Sequence, residues 1–199
     1  MAIFDNILIK GAQQGVVPAK TKVAREWYRS AAGKLMGNIS PSTFEKRTDE
    51  ARKVPTMEFG YMYAFKYDPK HKADLPYYDT FPLIFPVKME SDGFLGINFH
   101  YLPPILRAKL MDALYSTLTN KKYDDSTRVR ISYSILQSAS KYRYFKPTLK
   151  KYLRAHVRSQ FLEIQVQEWD IALFLPTESF RKADTGRVWE ESRKKLGRT

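Results

Sequence analysis

Between Phe59 and Tyr67 every second residue is aromatic: Phe59, Tyr61, Tyr63, Phe65 and Tyr67. A period of two sets five rings on one face of an extended segment, whereas a helix scatters them around its circumference. Such a face has to be covered by other apolar surface, so the alternation demands a sheet with partners. Two more extended stretches follow. Residues 81–89 carry Pro82 and Pro86, which lack the N–H that a ladder needs and point to an edge or a bulge. Residues 94–101 carry Gly96, the mark of a bend or a close backbone approach. Asp68–Lys72 and Ser91–Gly93 are turn sequences between them. Three aromatic strands in so short a span predict a small barrel or a strongly twisted sheet.

The spacing then turns helical. Pro103 and Pro104 suit a first helical turn, and Leu106, Leu110, Leu114 and Leu118 form one stripe behind them. Asp125 or Ser126 can cap a second helix running to about Ser140, with Val129, Tyr133, Leu136 and Ser140 at helical spacing. The alternation Val129, Ile131, Tyr133, Ile135 also permits a strand there. Lys146 and Pro147 predict the start of a further helix through about Val157, with Leu149, Tyr152, Leu153 and His156 near one face. Residues 161–166 and 169–175 read as strands able to pair as a hairpin across Gln167 and Glu168.

Both ends read differently from the middle. Residues 11–15 are glycine-flanked and predict a loop, and Val23, Trp27, Ala31 and Leu35 then recur at helical spacing. Ser40–Lys53 is polar and reads as an arm or linker. Beyond residue 177 the chain is polar and basic, a flexible arm or charged end in which Val188, Trp189 and Leu196 can seat a short amphipathic helix. The expected architecture is α+β: a small barrel-like antiparallel sheet of about five strands. A helical N-terminal arm and linker occupies residues 1–56, the barrel-like domain 57–176 with a helical insertion at about 103–157, and a basic tail 177–199.

The formal net charge is +13, carried mostly by residues 103–199, while residues 57–102 are mildly acidic. Segregated positive charge speaks of partners rather than of fold, and nucleic acid is the leading one. The sharpest patch is Lys141–Arg158, in which Lys141, Arg143, Lys146, Lys150, Lys151, Arg154 and Arg158 meet no acidic residue. Each cation can neutralise a phosphate and release a counterion. Tyr142, Tyr144, Phe145 and Tyr152 interleave with them, and aromatic rings offer stacking platforms for unpaired bases. The competing reading is a solvated basic face with its rings turned into the core.

Other chemistries find little support. There are no cysteines, which excludes disulfides and Cys-based zinc sites. The N-terminus lacks a basic n-region and a long apolar core, so no signal peptide is expected, and no apolar run approaches the ~20 residues of a membrane span. Asp68, Asp74, Asp79 and Asp92 lie near His71 and His100 in sequence, but their spacing matches no ligand set. A metal nuclease needs carboxylates that converge on the ion. His100, among strand residues, reads as a structural histidine. No catalytic residue, cofactor, metal or small-molecule substrate is expected.

Three stretches carry a resemblance: Tyr61–Lys72, Leu75–Ile84 and Asp92–Pro104. With Ser138–Pro147, His156–Ser159 and Trp27 they resemble the DNA end protector family of T-even-type (myovirus) bacteriophages and marine relatives, over about residues 20–195. The resemblance implies a minor, non-enzymatic virion protein that binds the termini of packaged double-stranded DNA. It implies entry into the host cytoplasm with the DNA, shielding of its ends from host exonuclease, a part in head completion, and contact with other virion proteins but no membrane. It assigns no DNA-contacting residues, so the basic residues above rest on chemistry alone. The alternative is a purely structural protein of the head–tail connector or baseplate, whose basic patches meet acidic neighbours.

Overall fold

A computed structural model of the chain describes residues 3–14, 53–166, 169 and 178–197. The basic helix expected around Trp27, most of the Ser40–Lys53 linker and the strand expected over 169–175, apart from Trp169 itself, lie outside these residues. Six strands form one antiparallel sheet in the order β1-β7-β2-β4-β5-β6. They are β1 (Lys53–Val54), β2 (Met62–Ala64), β4 (Leu83–Met89), β5 (Gly93–Asn98), β6 (Leu149–Leu153) and β7 (Phe161–Ile164). The short β3 (Tyr78–Asp79) pairs with β8 (Phe180–Arg181) as a second, two-stranded sheet. Among the described residues four helices accompany them: α1 (Ile3–Gln13), α2 (Pro104–Leu118), α3 (Asp125–Lys141) and α4 (Thr185–Gly197). The α+β class is as expected, but among the described residues no pairing joins β1 to β6, so the large sheet stays open.

The pleat separates two cores. Met62, Ala64, Phe85, Val87, Ile97 and Ile164 face a layer built from α1, α2 and α3. Tyr63, Phe65, Phe94, Tyr152 and Phe161 face the other way as an aromatic cluster. Phe65 sits at its centre, edge-on to Tyr67, Phe94, Tyr152 and Phe161 at centroid distances of 5.2–6.2 Å. Each such pair adds about 0.5–1.5 kcal/mol beyond the burial of its area. The aromatic alternation thus does what its period predicts, although regular pairing begins only at Met62. Gly60, at φ +91°, turns the chain before the strand, and Phe59 packs on Tyr133 of α3 with centroids 4.5 Å apart. Pro86 marks a bulge inside the sheet, where the register shifts between Pro86 and Lys88. The Val87 carbonyl accepts from the Tyr133 hydroxyl at 3.0 Å and from the Gln137 amide.

Four expectations need correction. Residues 11–13 continue α1 rather than forming a loop. Phe4, Ile7, Leu8 and Gly11 recur at helical spacing and are buried, and the two oxygens of Asp112 in α2 accept from the Phe4 and Asp5 N–H groups at 2.9 and 3.0 Å. That carboxylate satisfies N–H groups that have no partner within their own helix. The cap of α3 is Asp124, whose side chain accepts from Thr127 N–H at 2.7 Å, not Asp125 or Ser126. The helix expected over 146–157 is instead a 3-10 segment (Arg143–Thr148), then β6, then a 3-10 turn (Arg154–His156). Pairing with the free edge of β5, from Gly93↔Leu153 to Ile97↔Leu149, decides the matter, with Leu149 and Tyr152 filling opposite faces. Last, residues 178–197 are no flexible tail: the short helix expected around Val188 and Trp189 forms as α4. Val188 and Ser192 are buried, and the Asp184 side chain caps α4 by accepting from Arg187 N–H.

Candidate nucleic-acid interface

The basic stretch 141–158 is distributed over three local structures. Lys141 closes α3, and Tyr142, Arg143 and Lys146 follow it, all three exposed or partly so, with Tyr142 63% accessible. The side chain of Tyr144 lies outside the described atoms. Phe145 packs against the main core and Tyr152 is buried in the aromatic cluster, so neither is a platform for stacking. Extended β6 then sends neighbouring side chains to opposite faces, which separates Lys150 from Lys151.

Lys151 is not an open cation. Its Nζ lies 2.9 Å from Glu90 and 3.0 Å from Asp92. Hydrogen bonding to Lys151 holds both carboxyls below their ordinary range, and the same bonds push the ammonium up. Arg154 is exposed just beyond the strand. Arg158, also exposed, reaches Ala155 O at 3.3 Å and lies 4.0 Å from Asp68. Accessible cations thus run from the end of α3, along the outer strand of the sheet, to Arg158.

Lys150 turns the other way, and its Nζ sits 4.0 Å above the ring of Tyr101. At this distance an ammonium is drawn to the ring face. It lies on the wall of a cavity of about 330 Å³ formed by Tyr67, Lys70, His71, Leu75, Tyr77, Tyr78, Tyr101 and Tyr152. The sequence reading spreads these residues over strands, a turn, an extended loop and, for Tyr152, a helix, and does not join them. The loop of the cavity is pinned from two sides. His156 Nδ1 contacts Asp68 O at 2.8 Å, and Lys182 Nζ donates to Ala73 O at 2.7 Å and Leu75 O at 3.1 Å. Lys182 adopts φ +67°, which a non-glycine residue takes only at a cost of about 1–3 kcal/mol. Phe180 backs the rings of Tyr77 and Tyr101, with centroids at 6.4 and 5.0 Å.

Beneath the cavity lies a buried polar network. Asp79 Oδ2 is 2.6 Å from His100 Nδ1 and accepts from Asn98 Nδ2 at 3.1 Å, while Oδ1 accepts from Phe81 N–H. Asn98 Nδ2 also reaches the Tyr152 hydroxyl at 2.9 Å. Burial pushes the Asp79 carboxyl up, but the charge and hydrogen bond of His100, helped by Asn98 and Phe81, outweigh it and hold the group below its ordinary value. Burial likewise raises the Tyr101 and Tyr152 phenols, and brings Tyr77 to about 12. All three rings therefore stay neutral at physiological pH. His100 is fully buried and satisfied by Asp79. The other carboxylates do not converge: Asp68 pairs with Lys72 at 2.8 Å and Asp92 with Lys151. Among the described residues no three His, Asp or Glu side chains are grouped to hold a metal ion, and no helix is long and apolar enough to cross a membrane.

No curated protein and no solved structure matches the chain. A family model described as the phage T4 terminal DNA protecting protein matches residues 20–192, which take in the sheet, most of the helical layer, the basic stretch and most of α4. With a match of that extent, the chain belongs to the phage T4 terminal DNA protecting protein family.

Proposed function

We propose that this protein binds the ends of packaged double-stranded DNA in a phage particle and shields them from host exonuclease, without catalysis of its own. The family match over residues 20–192 carries this reading. The accessible cations Lys141, Arg143, Lys146, Arg154 and Arg158 supply the means, since each can displace a counterion from a phosphate. Lys150 adds a cation from within the cavity. Lys151 adds less, because it has to exchange two carboxylates for a phosphate. Tyr142 offers an exposed ring for the terminal base pair, and Tyr144 is assigned the same part from sequence. The protein would travel with the DNA into the host cytoplasm, and contact with neighbouring virion proteins during head completion belongs to the same reading.

Competition binding to a blunt duplex tests it, with linear and covalently closed DNA of equal length as competitors at physiological salt. Preference for the linear competitor, together with protection of the duplex from exonuclease, is expected. Equal competition would leave a general phosphate binder. Absence of binding would favour a purely structural role at the head–tail connector or baseplate.

A further inference from the structure

We infer that the tyrosine-lined cavity is a binding site for a single nucleotide, taking an unpaired terminal base among its rings and the attached phosphate at its basic rim. The inference rests on the end-binding reading, because a terminal pair frays and frees its base where an internal pair does not.

Three observations carry it. First, the walls are of the right chemistry. Tyr78, half-buried, is the accessible ring, and Tyr67, Tyr77 and Tyr101 line the cavity behind it with most of their area already covered; base–aromatic stacking is indifferent to sequence because every base has a π face. Second, the charge at the rim suits a phosphate. Lys150 stands over Tyr101 and Lys70 is exposed among the lining residues, whereas Asp79, which also lines the cavity, is buried and committed to Phe81, Asn98 and His100. Third, the site is built in advance. The loop is clamped by Lys182 and His156, the rings are backed by Phe180, and the volume of about 330 Å³ lies at the lower end of the range for small-molecule sites. A site of that size suits one nucleotide rather than a duplex. The strained backbone at Lys182 fits the same view, since its side chain makes two hydrogen bonds to the cavity wall.

Two probes test it on the full chain. Deoxythymidine 5′-monophosphate is titrated while the tyrosine ring resonances are followed by NMR. Saturable shifts at Tyr77, Tyr78 and Tyr101, with none at Tyr123, are expected. Deoxythymidine without its phosphate should bind about tenfold more weakly, the loss of one charge-assisted hydrogen bond, and so should the nucleotide to Lys150→Gln. No shift at millimolar nucleotide overturns the inference. The second probe compares a duplex bearing one unpaired terminal nucleotide with the same duplex closed by hairpins. Leu75→Trp, which fills the cavity, should lose the preference for the open end and keep its affinity for the closed duplex. Tyr78→Ser serves if Leu75→Trp does not fold. Wild-type preference for open ends that survives in the variant overturns the cavity site and leaves end protection standing. Nucleotide binding at these tyrosines without any preference for ends overturns end protection and leaves a site for free nucleotides.

Discussion

The guanidinium of Arg107 and the carboxylate of Glu178 meet at 2.9 Å, with 1% and 4% of their side chains accessible, across 71 residues of sequence. Arg107 also donates to Leu102 O at 3.1 Å and lies 5.7 Å from the centre of the Trp189 ring. The pair fastens the C-terminal segment to α2. Removing one partner from a buried pair strands the other charge, at a cost of about 3–5 kcal/mol. Glu178→Ala is expected to lower stability by that order in urea denaturation, and added salt should not restore it, because a buried pair is little screened.

The Asp79–His100 contact makes stability depend on acid. Because the folded carboxyl is held below its ordinary value, its contribution is fully present above the unfolded value of about 3.9 and is lost as pH falls through the folded one. Urea midpoints measured from neutral pH downward should therefore fall below about pH 4. Asp79→Asn should lower the midpoint at neutral pH and flatten that acid limb. The flattening should be partial, since Asp68, Glu90 and Asp92 are also held low by their lysine partners.

Gly93 pairs with Leu153 across the β5–β6 ladder, close to the backbone of Tyr152. A Cβ at Gly93 would lie 1.9 Å from the Tyr152 carbonyl oxygen, which is backbone and cannot swing aside. Gly93→Ala is expected to cost at least the 1–3 kcal/mol typical of overpacking, and ~3 kcal/mol is the better guide. Amide exchange should quicken first over residues 149–153, where the pairing gives way.

The cations of the proposed DNA surface should not be equal. Replacing Lys141, Arg143 and Lys146 with glutamine should flatten the dependence of log K on log salt by about 0.9 for each phosphate left without its cation. Lys151→Gln should change the slope less, since Glu90 and Asp92 already compensate that ammonium. Equal slope changes for all four would show that the carboxylates release Lys151 when DNA arrives.

Much of the sheet could be read from the sequence, because period-two patterning is local. The rings of Tyr63, Phe65 and Tyr67, the bulge at Pro86 and the close approach at Gly96 all reveal themselves within a few residues. What stayed hidden depends on distant partners. The cap of α1 is supplied by Asp112, so nothing beside Phe4 announces it. The residues of β6 read as helix from their spacing, and pairing with the open edge of β5 overrides that. Lys151 looks like a phosphate ligand until Glu90 and Asp92 are seen beside it. The cavity draws its walls from residues 67–78, Tyr101 and β6, which no window of sequence holds together.

The pairing of β3 with β8 also sets a timetable for synthesis. Ser179 O accepts from both the backbone and the hydroxyl of Thr80, 99 residues earlier. At about 5–20 residues per second, the ribosome delivers this partner roughly 5–20 s after Thr80 has emerged. Until then Tyr77 and Tyr101 lack the backing of Phe180, and Arg107 waits in α2 without Glu178. A nascent chain can lay down its aromatic strands early, yet it cannot complete the pocket until nearly all of the fold has been made. While incomplete it exposes sticky rings, and this window is where a chaperone would matter most.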